Sequence, residues 1–286
     1  MISVSGAFAL YPLVVLWSEE FKKTHPHVRF NISAGGAGKG VADALSGMVD
    51  IGLVSREIHP QEYDRGAYVI NVAKDAVVAT INADNPNAEA LARRGLTHAE
   101  FQDIFVTGAI DDWRQIDPAF TEAPLNRYTR SDAAGAAETW AAFFGRSQED
   151  LKGVGIFGDP GMTQTIINDP NAIGYSNINF VYDLQTRSLV PGLRVVPLDI
   201  NGNGQVDADE DFYTHIDSLT QAVGAGRYPA PPARNLSFLF HGKPDNVALV
   251  EFVKFVLRKE SQAILPQNGY IPLNETWITE ELAKLD

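Results

Sequence analysis

The sequence predicts an α/β protein built mainly on parallel strands and divided into two lobes. Three observations carry this. Strand-like and helix-like segments alternate from the first residues, glycines stand at the strand-to-helix turns, and 286 residues exceed what one hydrophobic core usually organises. ISVSGAF reads as a short strand running into a turn. Pro12 suits the first turn of a helix, where its missing N–H loses no bond. Leu13, Trp17 and Phe21 then recur four apart and mark one apolar face. HVRFNISAGG alternates as a strand does, GGAGKG is a glycine turn, VADALSGM a short helix and VDIGLVS a buried strand. DAVVATINAD (75–84) is a further strand, closed by the loop signal NPN, and short elements continue to AIGYSNINFVYD (172–183). Near the end RNLSFLFHGKP gives a strand and turn, and VALVEFVKFVL a helix with Val250, Val253 and Leu257 on one face.

No internal repeat or low-complexity tract interrupts this pattern, and PAPPAR (229–234) is the most linker-like stretch. With that linker and the DAVVATI strand as the two crossings, one lobe is discontinuous. It comprises residues 1–76 plus 237–286, and residues 77–236 form an inserted lobe.

Composition excludes several classes. Against 23 Lys and Arg stand 36 Asp and Glu, a net charge of −13, and no basic cluster reverses this field locally, so no nucleic-acid partner is expected. A small anion can still bind, because a buried site feels nearby dipoles more than screened surface charge. The absence of cysteine removes disulfides and thiolate metal sites. No stretch approaches the length of a membrane span. The opening MISVSGAF has neither the basic start nor the apolar core of a secretory signal, so the chain is either cytoplasmic or follows a signal that has been removed.

Three glycine- or alanine-rich turns precede helices: SGAFALYP (5–12), AGGAGKG (34–40) and RSDAAGAA (130–137). A helix start presents free N–H groups and about half a positive charge, which suits an oxyanion. Small residues let such a guest approach the bare amides. The middle turn is not a nucleotide loop: Ser33 stands where the first glycine is required, and Gly40 follows Lys39 where a hydroxyl should bind magnesium.

Taken in order, SGAFALYP, AGGAGKGVADALSGMVDIGLVSREI, RSDAAGAAETW, GVGIFGDPG and AIGYSNINFVYD resemble the phosphate-binding proteins of ABC importers over nearly the whole chain. The resemblance implies a type II periplasmic-binding-protein fold, two α/β lobes joined by two crossing strands with a dehydrated ligand in the cleft. It also implies a periplasmic or extracellular protein, exported or lipid-anchored, that acts as a monomer and hands its ligand to a membrane permease. Transferred residue by residue, it assigns ligand contacts to Leu10 and Tyr11, to Ala37, to Ser55 and Arg56, and to Arg130 with the amides of Ala134, Gly135 and Ala136. Arg130 is the expected charge partner, because its fork meets two oxygens at once.

The chain departs from that family where hydroxyl residues are usual, at Leu10, Ala37, Ala134 and Ala136, and where some relatives carry an acid, at Arg56. Asp132 or Glu138 is left as a candidate acceptor for the proton of hydrogen phosphate, and another oxyanion or a larger acid suits the extra room. The alternative role of the two arginines is ion pairing with a nearby acid such as Glu57 or Asp132. Tyr11, Tyr175 and Asn177 are further candidates to line the cleft.

A second motif, DINGNGQVDADE (199–210), follows the twelve-residue calcium loop. Asp199, Asn201, Asn203, Gln205 through its carbonyl, Asp207 and Glu210 occupy the ligand positions, and Gly204 the sharp turn. RVVPL before it reads as a strand and DFYTHIDSLTQAV after it as a helix, so a structural Ca²⁺ is expected rather than a paired sensor. The competing reading is a metal-free turn rich in Asx residues. No catalytic constellation stands out: GxSxG and HExxH are absent, and the six histidines are scattered. A solute-binding protein that is not an enzyme is therefore expected. The alternatives are an enzyme of phosphoester chemistry using the same anion socket, with calcium as Lewis acid, and an adhesion or matrix protein using the calcium loop.

Overall fold

A computed structural model describes the whole chain, Met1–Asp286. Strands and helices alternate as β1 (Ile2–Gly6), α1 (Tyr11–Thr24), β2 (Phe30–Ala34), α2 (Ala37–Leu45), β3 (Ile51–Val54), α3 (Pro60–Asp64), β4 (Ala67–Asn82), α4 (Ala88–Arg94) and α5 (His98–Gln102). The middle of the chain carries β5 (Asn126–Arg130), α6 (Gly135–Phe143), β6 (Val154–Ile156), α7 (Gly158–Asn168), β7 (Ala172–Asn177), β8 (Leu193–Val195) and α8 (Ile216–Gly224). It ends with β9 (Ala233–His241), α9 (Val247–Val256), α10 (Lys259–Ala263) and α11 (Glu275–Ala283).

Two compact units result. The first contains Met1–Asp75, Ala133–Gly135 and Arg234–Asp286; the second contains Ala76–Asp132 and Ala136–Ala233. β4 carries the chain out of the first unit after Asp75, and β9 brings it back at Arg234. The PAPPAR stretch holds two cis peptide bonds, before Pro231 and Pro232, and leads directly into β9.

In the first unit β1 lies parallel to both β2 and β3, with Val4 opposite Ile32 on one side and Ile51 on the other. β9 joins the free side of β3 antiparallel, Leu53 facing Phe238. β3 is buried along its whole length, which explains its uninterrupted run of apolar and small residues. α1 buries Leu13, Val14, Trp17 and Phe21, the face marked by the four-residue spacing. Trp17 meets Phe238 edge-on at 6.2 Å, and Phe21 meets Phe252 of α9 at 5.3 Å. Each such side chain taken from water contributes about 1.5–3 kcal/mol. α9 turns Leu249, Phe252, Val253 and Val256 inward, while Val250 is only half-buried, so its face is rotated slightly from the one read in the sequence. Where β4 leaves this unit, Arg234 Nε and Nη2 donate to the two oxygens of Asp75 at 2.7 and 3.0 Å, both side chains buried.

In the second unit β7 runs antiparallel to β4, Val78 opposite Ser176, and β8 pairs β4 with Ile81 opposite Arg194. β5 lies parallel to β7, and β6 parallel to β5, with Arg130 opposite Ile156. All six residues of β7 are buried. Tyr175 stacks on Trp140 of α6 at 5.7 Å and meets Phe105 edge-on at 5.6 Å, an aromatic core under the end of β5.

Candidate anion-binding site

In the first unit the carboxyl ends of β1, β2 and β3 lie side by side, and helices start from them. Gly6 ends β1 at φ 137°, a conformation open to glycine, and its carbonyl accepts from the amides of Gly35 and Gly36 at 2.9 and 3.1 Å. A Cβ there would stand 2.4 Å from the Leu53 carbonyl oxygen. The Ala7 amide donates to that same Leu53 carbonyl at 2.9 Å. The third turn joins them: the Gly38 amide donates to the Ala133 carbonyl at 2.9 Å. Gly135 approaches β3 so closely that an added Cβ would lie 2.1 Å from Ser55 Oγ. Three turns distant in sequence, with Ser55, thus form one assembly around the starts of α1, α2 and α6.

The individual residues differ in what they offer. The amides of Leu10 and Tyr11 both donate to the Ala7 carbonyl at 3.2 Å, so they are engaged within their own turn. Leu10 is fully buried. Ala37 is the first residue of α2, behind Gly36, and is buried together with Ser55, Ala134 and Ala136. Gly135 is the first residue of α6.

Arg56 turns to an acid six residues on. Its Nη1 and Nη2 donate to the two oxygens of Glu62 at 2.9 and 2.6 Å, and Nη1 also donates to the Glu57 carbonyl at 2.7 Å. Burial alone would push the Glu62 carboxyl up; the Arg56 guanidinium and the His59 amide outweigh it and hold the group below its ordinary range.

In the second unit Arg130 ends β5 with its side chain enclosed by acids. Nε and Nη2 donate to the two oxygens of Asp132 at 2.9 and 2.7 Å, and Nη1 donates to Asp159 Oδ2 at 2.9 Å. These three side chains are at most 5% exposed. The other oxygen of Asp159 accepts from the main-chain and side-chain nitrogens of Asn177 at 3.3 and 2.7 Å. Asp132 Oδ1 also accepts from the Gly158 amide at 3.2 Å. Burial pulls the guanidinium pKa down, and the two carboxylates more than reverse it. Glu138, a candidate acceptor in the sequence, accepts instead from the Gln148 amide at 3.1 Å. Asn177 belongs to the Arg130 network, whereas Tyr175 donates to or accepts from Thr129 at 2.7 Å in the aromatic core.

The 199–210 loop closes on itself. Asp199 accepts from the amides of Gly202, Asn203 and Gly204 at 2.7, 3.2 and 2.9 Å. Glu210 accepts from those of Ile200, Asn201 and Asp207 at 2.9, 3.1 and 3.3 Å. The side-chain amides of Asn201 and Asn203 donate to Asp207 Oδ2 at 2.8 and 2.7 Å, and the Gln205 side chain donates to its Oδ1 at 3.2 Å. β8 precedes the loop, but the following helix begins only at Ile216, because Phe212 and Tyr213 are drawn into the core as non-helical chain. Nowhere do three acidic or imidazole side chains gather closely enough to hold a metal ion.

Residues 1–260 match the PBP superfamily domain. The chain belongs to the PBP superfamily. Among relatives of this PBP domain, the phosphate-binding protein PstS of Bacillus subtilis is 23% identical over 283 residues, covering 98% of this chain and 83% of the relative. PstS of Pseudomonas aeruginosa is 24% identical over 300 residues, covering 95% and 83%. Among solved structures, a putative phosphate ABC transporter substrate-binding protein with bound phosphate from Clostridium perfringens superposes with a TM-score of 0.77 at 22% identity, over 96% of this chain and 99% of that one. An ABC-type phosphate transport receptor from Vibrio cholerae gives 0.70 at 17% identity, over 96% and 100%. These likenesses establish the shared fold. No helix of this PBP-superfamily chain is long and apolar enough to cross a membrane.

Sequence reasoning did not find Asp159 or Glu62. Asp159 stands 29 residues from its arginine, and only the parallel pairing of β5 with β6, which delivers the chain to α7, places it there.

Proposed function

We propose that this protein is a solute-binding protein, not an enzyme, that captures phosphate outside the cytoplasmic membrane and delivers it to an ABC permease. The observation that carries the reading is the start of α6: directly after Arg130, the Ala133–Gly135 turn packs its bare main chain on the start of α2 and on Ser55. Helix starts crowded in this way offer amide donors and positive dipole ends to one small oxyanion. Relatives matched over 95–98% of the chain are named phosphate-binding proteins, which supports the choice of anion. In this reading Arg130 supplies the charge, and the amides around Ala37, Ala134, Gly135 and Ala136 supply hydrogen bonds. Ser55 completes the surround, with Leu10, Tyr11 and Arg56 as its frame, since the Leu10 and Tyr11 amides donate to Ala7 and the Arg56 guanidinium to Glu62. Calorimetric titration of ligand-stripped protein with phosphate, sulfate, arsenate and molybdate tests it. Tight binding of phosphate supports the reading; binding of none of the four overturns it.

We infer also that the 199–210 loop takes Ca²⁺ as a structural ion. Its donors are all oxygens at the required spacing. Asp199 and Glu210 are buried and bonded to main-chain amides, and Arg94 is the basic group whose charge reaches Asp199 without forming an ion pair, so a cation in the loop would compensate much of the remaining negative charge. Asn201, Asn203, Asp207 and the Gln205 carbonyl complete the ligand set.

A further inference from the structure

Arg130 is one cation gripped by two carboxylates, and the second of these has no necessary part in orienting it. Asp132 alone fills the Nε–Nη2 edge of the guanidinium with two parallel bonds, which fixes its plane. Asp159 then adds a full negative charge on Nη1, and it is itself held by two donors from Asn177. Every partner of Asp159 is a donor, the arrangement of a carboxylate rather than of a carboxylic acid. Together Arg130, Asp132 and Asp159 therefore bury one negative charge in excess. Charges in such surroundings are screened far less than in water, so the excess acts on any anion bound through Arg130.

The geometry points to Asp159 as a specificity-determining residue that sets the charge preference of the anion site, favouring singly charged oxyanions over doubly charged ones. This rests on the reading above, that Arg130 is the anion's charge partner. The excess charge makes a second charge on the guest unfavourable while leaving the amide donors intact; the Nε–Nη2 fork, expected from the sequence to grip the anion, is held by Asp132, so Arg130 acts on the guest through its charge. Dihydrogen phosphate is then preferred to hydrogen phosphate and to sulfate. Arg130 from β5 is the charged group in contact with Asp159, and Asp132 from the turn after β5 shares that guanidinium; Tyr175 from β7, whose hydroxyl burial holds protonated, feels the charges of Arg130 and Asp132.

The test is calorimetric titration of the full chain and of Asp159→Asn with phosphate and with sulfate, each at a mildly acid and a mildly alkaline pH. The unsubstituted protein is expected to bind phosphate more tightly at acid than at alkaline pH, and sulfate weakly at both. In Asp159→Asn, affinity for sulfate and for alkaline phosphate is expected to rise about tenfold relative to acid phosphate, the order of effect expected from removing one poorly screened charge. If that variant is not recovered folded, Asp132→Asn removes the same unit of charge and is expected to shift the ratio in the same direction. A sulfate-to-phosphate ratio unaltered by either substitution overturns the role of Asp159 alone. Failure of the unsubstituted protein to bind any oxyanion overturns the phosphate reading with it.

Discussion

Arg130 Nη1 reaches Asp159 Oδ2 at 2.9 Å, although the two residues stand 29 positions apart on β5 and α7. The contact ties the end of a strand to the first turn of the next helix but one, and it engages Nη1 of a guanidinium whose Nε–Nη2 edge is already paired with Asp132. Removing the arginine leaves two buried carboxylates facing each other without a cation. Arg130→Ala is therefore expected to lower the unfolding free energy by about 3–5 kcal/mol, as breaking a buried pair from one side does. Urea denaturation measures this, and a loss well under 1 kcal/mol would show the cluster to be hydrated.

Gly135 has no room for a side chain. A Cβ at this position would stand 2.1 Å from Ser55 Oγ and 2.5 Å from the Ser55 carbonyl oxygen, and main chain cannot rotate aside. Gly135→Ala is expected to lower stability by about 1–3 kcal/mol. It should also weaken phosphate binding, because the Ala133–Gly135 turn must move off Ser55 to admit the methyl group. Thermal melting with and without phosphate separates the two effects.

The Arg56–Glu62 pair makes stability depend on acid. Burial opposes ionisation of Glu62, yet the Arg56 and His59 donors prevail, so the folded-state pKa lies below its ordinary 4.5. A carboxyl with a depressed folded pKa contributes stability that is fully present above the unfolded value and lost as pH falls through the folded one. Unfolding free energy is expected to fall as pH drops below about 4.5, and Glu62→Gln should flatten that part of the curve while lowering stability near neutrality. An unchanged acid limb in the variant would assign the loss to other groups.

The loop at 199–210 should respond to chelation. With Ca²⁺ bound, EDTA is expected to lower the melting temperature, and Glu210→Gln to abolish that difference by removing the ligand at the twelfth position. Identical melting curves with and without chelator in the unsubstituted protein would leave the loop as a metal-free turn.

How much was legible in the sequence depended on how local the deciding forces were. The apolar face of α1 and the buried run of β3 follow from periodicity within a few residues, and both are found as read. β4 was read only from residue 75, yet it begins at Ala67, because its first half alternates buried and half-buried positions beside polar Asn71 and Lys74. The helix after the calcium-type loop starts at Ile216, not at Asp211, since burial of Phe212 and Tyr213 in the core overrides helical preference there. Asp132 was within reach as a partner of Arg130 because two residues separate them. Glu62 for Arg56 and Asp159 for Arg130 were not, since pairing across a turn or between strands leaves no periodic trace.

The most direct test of the phosphate reading is equilibrium dialysis of the stripped, full-length chain against labelled phosphate, alongside Arg130→Met, which keeps side-chain bulk and removes the charge. The expected result is saturable binding of one phosphate per chain, lost or greatly weakened in the variant. Absence of saturable binding, or binding that the variant retains unchanged, would contradict it.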